Sequence, residues 1–119
     1  MKKINFLIVA LIMQLSASAQ KPLIVNYEEV VAKAKTELDS SMISGLLKEF
    51  GVKNAIKGEY IMDITIHERG KVLTVFAVSN DSDNLKMQNK LKDFVRTLEF
   101  SFKLPKGKPY KFQYTFHFD

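Results

Sequence analysis

The final residues of the chain alternate strictly between apolar and polar side chains, and this pattern most constrains the fold. Tyrosine or phenylalanine stands at every second position: Tyr110, Phe112, Tyr114, Phe116 and Phe118. Polar side chains occupy the positions between them: Lys111, Gln113, Thr115 and His117. A period of two is typical of a strand that buries one face and exposes the other. The sequence therefore predicts a strand whose aromatic row faces a core.

Residues 58–80 carry two further strand patterns joined by a turn. In the first, apolar residues again occupy every second position: Tyr60, Met62, Ile64 and Ile66. The second, residues 72–78, is rich in β-branched side chains, which favour strands. Between them, Gly70 can adopt a positive φ without steric cost. Two strands joined by a short glycine-containing loop predict a β-hairpin.

Residues 27–50 show the apolar spacing of helices. The apolar positions are Tyr27, Val30, Val31, Ala34, Leu38, Ile43, Leu46, Leu47 and Phe50. Asn26 is suited to cap this region, the polar run 39–41 would interrupt it, and Gly51 would end it. The pattern is compatible with one bent helix or with two short ones. We expect its apolar stripe to pack in the core rather than to dock a partner.

A second helical pattern is predicted to run from a cap at Ser82 or Asp83 to about Glu99. Its apolar face comprises Leu85, Leu91, Phe94, Val95 and Leu98, with Met87 at the edge. Its basic face comprises Lys86, Lys90, Lys92 and Arg96. Because no aromatic side chains interleave with these cations, we expect a solvated surface rather than a nucleic-acid contact. The glycine and prolines of residues 100–109 predict an irregular crossover.

The connections between these elements predict the order of the strands. A hairpin places strands one and two side by side, and a right-handed crossover can set strand three beside strand one. We therefore expect an α+β fold with a three-stranded antiparallel sheet in the order 2-1-3 and helices on one face. Strand three would then be an edge strand with unpaired backbone donors and acceptors.

The first residues have the organisation of a secretory signal peptide. Lys2 and Lys3 precede an apolar run, residues 4–15, and Ala17 and Ala19 form an A-x-A site. We expect cleavage after Ala19 and a location in the periplasm, or outside the cell, of a Gram-negative bacterium, with no stable membrane anchor. The alternative, an uncleaved anchor helix, would need about 20 apolar residues, more than this run supplies. No cysteine follows the small residues, which excludes a lipoprotein.

Removing residues 1–19 from the 119 leaves 100 residues, the size of one domain. We expect residues 20–57 to form a helical region that packs with residues 58–119 as one globular unit. The chain contains no cysteine, so packing must hold the fold without a disulfide.

Without Lys2 and Lys3, the 18 basic residues become 16, which against 13 acidic residues leaves a net charge of +3. This charge does not indicate a nucleic-acid partner.

From position 58 onward the chain resembles the C-terminal domain of TonB-type proteins. The first part of the resemblance rests on Gly58, Tyr60, Met62, Ile64, Ile66, Gly70, Val72, Val75 and Ser79. The later part rests on Leu91, Phe94, Leu98, Phe100, Pro105, Gly107 and the final aromatic strand. The chain shows neither the membrane anchor nor the proline-rich linker of the family's energy transducers, and its junction from Phe100 to Pro105 is longer. We therefore expect a free adaptor or modulator rather than a transducer.

The resemblance implies a non-catalytic domain that binds by β-augmentation, in which an extended segment of an outer-membrane transporter pairs with the last strand. The edge position predicted for that strand leads independently to a similar hypothesis. The expected docking residues are Tyr110, Lys111, Phe112, Gln113, Tyr114, Thr115, Phe116 and His117. The partner would be a segment of a periplasmic or outer-membrane protein. In the alternatives, residues 21–26 or a second copy of the chain would cover this edge.

No motif in the sequence indicates an enzyme, and none implies a cofactor or metal. The titratable candidates are His67, His117, Glu59, Asp63 and Glu68. The predicted sheet would separate the two histidines by roughly 20 Å, too far to share a metal ion. We expect His117 to approach Glu59 across the strands instead.

The second face of the predicted sheet is partly apolar, because Ile61, Phe76 and Val78 lie outside the main core face. The helical region at residues 27–50, or a second copy of the chain, would cover it. If exposed, this face would bind a ligand or lipid in a small self-associating periplasmic domain.

Overall fold

Six regular elements follow one another through the part of the chain that a computed structural model describes, residues 21–80 and 85–119. In chain order they are α1 (Tyr27–Ser44), α2 (Leu46–Lys53), β1 (Gly58–Ile66), β2 (Val72–Asn80), α3 (Leu85–Val95) and β3 (Tyr110–Phe118). The predicted signal peptide and the predicted caps Ser82 and Asp83 lie outside the described residues. None of the helices described is long and apolar enough to span a bilayer.

The three strands form one antiparallel sheet in the order β2-β1-β3, with the helices packed against it. The predicted α+β class and strand order are therefore confirmed. β1 and β3 pair without interruption, from Gly58 opposite Phe118 to Ile66 opposite Tyr110. Both strands alternate between buried and less buried residues. A shift of one residue would turn an apolar row to water, so the alternation selects this register.

The hairpin between β1 and β2 needs glycine at position 70. The N–H of Gly70 donates to the carbonyl of His67 (2.8 Å), and Gly70 has φ +83°. A Cβ at this position would lie 2.3 Å from the carbonyl oxygen of Phe102. Both the backbone conformation and the close approach of the crossover therefore exclude a side chain here.

One hydrophobic core joins the helices to a single face of the sheet, which we call the core face. The helices contribute Val30, Ala34, Leu38, Leu47, Leu91 and Val95. The sheet contributes Tyr60, Met62, Ile64, Ile66, Val75 and the aromatic side chains of β3. The crossover, predicted to be irregular, also buries Phe100, Phe102 and Leu104 in this core. Alternate residues from 100 to 104 thus face inward, although this part of the crossover forms only an isolated bridge, between Lys103 and Leu23.

The helical region consists of two helices that meet at Gly45, so the break predicted at residues 39–41 is displaced. A Cβ on Gly45 would lie 2.9 Å from the Cα of Ser41, which explains the glycine. The hydroxyl of Ser41 accepts a hydrogen bond from the N–H of Leu47 (3.0 Å). Ser41 therefore helps to start α2 from a position inside α1.

Gly51 lies inside α2, and the prediction that it ends the helix is wrong. The helix ends at a Schellman motif, in which Ala55 has φ +52° and the N–H of Ile56 donates to the carbonyl of Gly51 (3.0 Å). A Cβ on Gly51 would lie 2.7 Å from the ring of Phe118. Glycine is required at position 51 because the last aromatic side chain of β3 packs directly against the helix backbone.

α3 ends at Val95, four residues before the predicted end at Glu99. The N–H of Phe100 donates to the carbonyl of Gly70 (2.7 Å), and Glu99 forms an isolated bridge with Lys71. These contacts draw the chain onto the hairpin and compete with further helical turns. Leu85 is 64% exposed, so its predicted place on the apolar face is also wrong.

Candidate strand-docking site

β3 lies at one edge of the sheet, and its side chains divide between two faces. Those of Phe112, Tyr114, Phe116 and Phe118 are buried in the core, and that of Tyr110 is half-buried. The opposite face, which we call the open face, carries the exposed side chains of Lys111, Gln113, Thr115 and His117. The predicted docking residues therefore lie together on one edge strand, where the aromatic row anchors the strand and the polar row meets solvent.

The backbone groups of β3 also alternate in direction. The N–H of His67, the residue that follows β1, donates to the carbonyl of Lys71 (2.7 Å). The backbone groups of His67 therefore point toward the β2 side of the sheet. Consecutive residues of an antiparallel strand direct their N–H and C=O groups to opposite sides. Ile66 therefore faces β3, and its partner Tyr110 faces back toward β1. By the same alternation, the backbone groups that point away from the sheet belong to Lys111, Gln113, Thr115 and His117.

Helix α1 already occupies the first of these outward positions. The hydroxyl of Tyr27 donates to the carbonyl oxygen of Lys111 (2.5 Å), and its ring packs against Tyr110 with centroids 5.7 Å apart. Within the described residues, no backbone hydrogen bond from another element reaches the three later outward positions. We call these the outer edge: the N–H and C=O groups of Gln113, Thr115 and His117.

Residues 21–26 do not cover the outer edge, so that alternative is wrong. Ile24 donates its N–H to the carbonyl of Lys103 (3.0 Å), and Lys103 donates its N–H to that of Pro22 (2.8 Å). The segment therefore pairs with the crossover, and near β3 it is held by the hydroxyl of Tyr110, which donates to the carbonyl of Val25. The alternative in which the helical region covers the open face is also wrong, because the buried side of α1 joins the core.

Polar contacts between strands organise the open face beside β3. Asp63 accepts a hydrogen bond from the amide of Gln113 (3.4 Å) and lies 3.9 Å from the Lys111 ammonium. The expected approach of His117 to Glu59 is observed, with Nδ1 3.3 Å from the carboxylate oxygen. Exposed pairs of this kind are each worth under about 1 kcal/mol. They orient the polar row without rigidly holding it.

A groove of about 340 Å³ separates the second half of α1 from β3. Its lining comprises Asp39, Met42, Ile43, Tyr114, Thr115 and His117. The hydroxyl of Tyr114 donates to a carboxylate oxygen of Asp39 (2.5 Å) and ties the helix to the strand. Burial, and then the hydrogen bond and charge of Asp39, raise the pKa of Tyr114 above its ordinary value of 10.0. The hydroxyl therefore stays a donor at physiological pH.

The other edge of the sheet, β2, pairs irregularly with β1. The register skips Leu73 and Val78, which have no partner in β1. Such bulges re-aim side chains and disrupt the edge as a template for pairing. The apolar side chains of Leu73, Phe76 and Val78 are between 50% and 59% exposed. The open face thus has an apolar half on β2 and a polar half on β3.

The titratable candidates do not converge on one point. β1 pairs Glu59 with His117 at one end of the sheet, whereas His67 follows Ile66 at the hairpin turn at the other end. Glu68 accepts a hydrogen bond from the N–H of Gly107 (3.1 Å), which ties the turn to the crossover. Over residues 21–80 and 85–119, no three metal-ligating side chains come close enough to hold an ion.

Two side chains beside the outer edge were not identified from the sequence. Tyr27 has the spacing of a core residue, yet it is half exposed and its hydroxyl reaches β3. Asp39 lies in a polar run typical of a helix break, yet it is helical and accepts from Tyr114. Both contacts join residues 75 or more positions apart, so no local pattern could have revealed them.

Comparison of this chain and its structure with protein-family models, with curated proteins and with solved structures found no match. The contacts at the sheet edges therefore remain the basis for assigning a function.

Proposed function

We propose that this chain is a non-catalytic periplasmic interaction module of TonB C-terminal type. It binds an extended segment of an envelope or transport protein by adding that segment as a fourth strand beside β3. The supporting observation is the outer edge, where three consecutive outward positions have no backbone partner among the described residues. Strand addition is a general mode of peptide recognition in which main-chain hydrogen bonds supply affinity.

The uninterrupted pairing of β3 with β1 supports the same proposal. All nine of its residues are in continuous register with β1, so its outward groups follow one another at the regular spacing of a template strand. The aromatic row buried beneath the strand holds it in place while its other side remains accessible. The leader predicted at residues 1–19 supports the periplasmic assignment, and the residues resembling TonB domains support the class of partner.

Proline at position 115 tests the proposal, because it removes an outward N–H without removing a bond to β1. The matched control is Thr115→Val, which keeps the N–H and a β-branched side chain. A photo-crosslinking residue placed at Gln113 would be activated in the envelope of the native host. We expect a specific adduct with the Thr115→Val variant and its loss with Thr115→Pro. Equal capture by both folded variants would refute strand addition at β3.

A second candidate function is supported by the apolar half of the open face. Under this second function, the chain is a small self-associating domain that binds a ligand or lipid through three side chains exposed together on β2: Leu73, Phe76 and Val78. Sedimentation of the purified protein at two concentrations, with and without phosphatidylglycerol vesicles, separates the candidates. Self-association or vesicle binding that Phe76→Ser abolishes would favour this second function. A protein that stays monomeric at both concentrations and does not bind the vesicles would exclude this second function.

A further inference from the structure

The groove beside β3 would select the side chains of a docked strand. Side chains of neighbouring strands at the same level share a face of the sheet. On a strand added to the outer edge, the residue opposite Thr115 would therefore point toward the open face. The residues opposite Tyr114 and Phe116 would point to the core-face side. There α1 contributes three side chains to the groove: Asp39, Met42 and Ile43. This inference rests on the strand addition proposed above.

Helix α1 runs beside β3 in the same direction. Successive positions along the groove are therefore lined by different residues of α1. Asp39 contacts Tyr114 through the hydrogen bond to its hydroxyl. Met42 lies farther along, where it also lines a second groove together with His117 and Phe118. A side chain opposite Tyr114 would thus approach a carboxylate, and one opposite Phe116 would approach apolar side chains.

The chemistry of these two linings differs. The Asp39 carboxylate accepts a hydrogen bond from the neutral hydroxyl of Tyr114 rather than from a cation. Ile43 is 71% exposed, so contact with an apolar side chain would remove its surface from water. The first lining therefore favours a cation, and the second favours an aliphatic side chain.

We propose that the segment bound at β3 carries one basic and one apolar residue separated by a single residue. The basic residue lies opposite Tyr114 beside Asp39, and the apolar residue lies opposite Phe116 beside Met42 and Ile43. The hydroxyl of Tyr27 on the carbonyl of Lys111 limits pairing at the start of β3. The recognised segment is therefore short and extended.

Synthetic heptapeptides test this specificity, using the purified protein and fluorescence anisotropy of a labelled peptide. The parent peptides are Thr-Thr-Leu-Thr-Lys-Thr-Thr and its reverse order, since the strand direction decides which one fits. Replacing Leu by Thr should weaken binding of the better peptide about tenfold. Replacing Lys by Glu should weaken it about three- to fivefold, as for an exposed ion pair.

Three protein variants assign the two preferences to their sites. Asp39→Asn keeps an acceptor for the Tyr114 hydroxyl but removes the charge. It should therefore abolish the preference for Lys over Glu and keep the preference for Leu over Thr. Ile43→Ser should do the reverse, abolishing only the preference for Leu over Thr. Leu46→Ser is the matched control, because Leu46 is 60% exposed on α2 and lies outside this groove. It should leave both preferences intact.

The outcomes separate this inference from the function on which it rests. If an all-threonine peptide binds as tightly as both parents, or if the preferences survive in Asp39→Asn and Ile43→Ser, the inference is overturned. If Thr115→Pro binds the better parent peptide as tightly as the wild type does, strand addition itself fails. Loss of binding in Thr115→Pro, together with the two separable preferences, supports both.

Discussion

The two edges of the sheet are built in opposite ways. β2 pairs with β1 through a register that skips two residues, and its beginning is covered by the chain that leaves α3. There the N–H of Val72 donates to the carbonyl of Leu98 (3.3 Å). β3 pairs without a skip, and α1 reaches its outward backbone at Lys111. One edge is thus disrupted and partly covered, and the other pairs continuously with β1 and is left open beyond Lys111 by the rest of the described chain.

An ion pair reinforces the covered edge. The Lys21 ammonium lies 3.1 Å from the Glu99 carboxylate, and its hydrogen bond and charge, with the charge of Lys71, hold the pKa of Glu99 below its usual value. Natural sheets commonly disrupt or cover edges that would otherwise recruit other strands. Among the described residues, β3 is neither disrupted by a bulge nor covered over most of its length. An edge strand without these protections favours a functional explanation.

Truncation of an aromatic residue on each strand should give the largest difference. Phe116 is fully buried, so Phe116→Ala should lower the free energy of unfolding by about 3–5 kcal/mol. Phe76 is 59% exposed on β2, and Phe76→Ala should cost about 1 kcal/mol or less. Urea unfolding of both variants measures the difference. Equal losses would show that β3 is not anchored as its burial indicates.

An added methyl group beneath the end of β3 should have the next largest effect. Gly51→Ala places a Cβ against the ring of Phe118 and should destabilise the protein by about 1–2 kcal/mol, despite the better helix propensity of alanine. Val52→Ala, at a position that is 75% exposed on the same helix, is the control and should change stability by about 0.5 kcal/mol or less. A stabilised Gly51→Ala variant would contradict the close packing of Phe118 on α2.

Removing one hydroxyl should lengthen the accessible edge at a small cost. Tyr27→Phe loses the hydrogen bond to Lys111 and should lower the free energy of unfolding by about 0.5–1 kcal/mol. Tyr110→Phe loses a similar bond, to Val25, but leaves the edge unchanged. We expect long extended peptides to bind Tyr27→Phe more tightly than they bind the wild type. Their affinity for Tyr110→Phe should equal that for the wild type. Equal peptide affinities would show that Tyr27 does not limit docking.

The smallest predicted effect is a change of stability at alkaline pH. Folding raises the pKa of Tyr114, so the unfolded chain releases this proton first and stability falls as pH rises above about 10. Tyr114→Phe has no such proton, and its stability should decline less steeply between pH 9 and about 11. Urea midpoints across this range provide the measurement. Parallel curves would mean that folding does not raise the pKa of Tyr114, which would contradict both its burial and its hydrogen bond to Asp39 in solution.

Much of the fold could be predicted from local patterns. The alternation in residues 58–66 and 110–118 predicted both the strands and their pairing, because each places one apolar row on one face. The strand order followed from the hairpin and the crossover. The helix ends were less predictable: the break at Gly45 and the end of α2 depend on contacts with Ser41 and on a left-handed Ala55.

The candidate site was predictable only in part. The pattern identified the polar and aromatic rows of β3, including the approach of His117 to Glu59. It did not identify Tyr27 or Asp39, whose contacts with β3 arise only when α1 packs beside the strand. The burial of Phe100 and Phe102 also depends on the tertiary path of the crossover, which local spacing does not specify.

Amide hydrogen exchange along β3 tests the central claim most directly. The account predicts alternation in the native protein: fast exchange at Gln113, Thr115 and His117, whose N–H groups point outward, and slow exchange at Phe112, Tyr114 and Phe116, which face β1. Uniform protection of all six amides in the monomeric protein would contradict it, because the outer edge would then already be occupied.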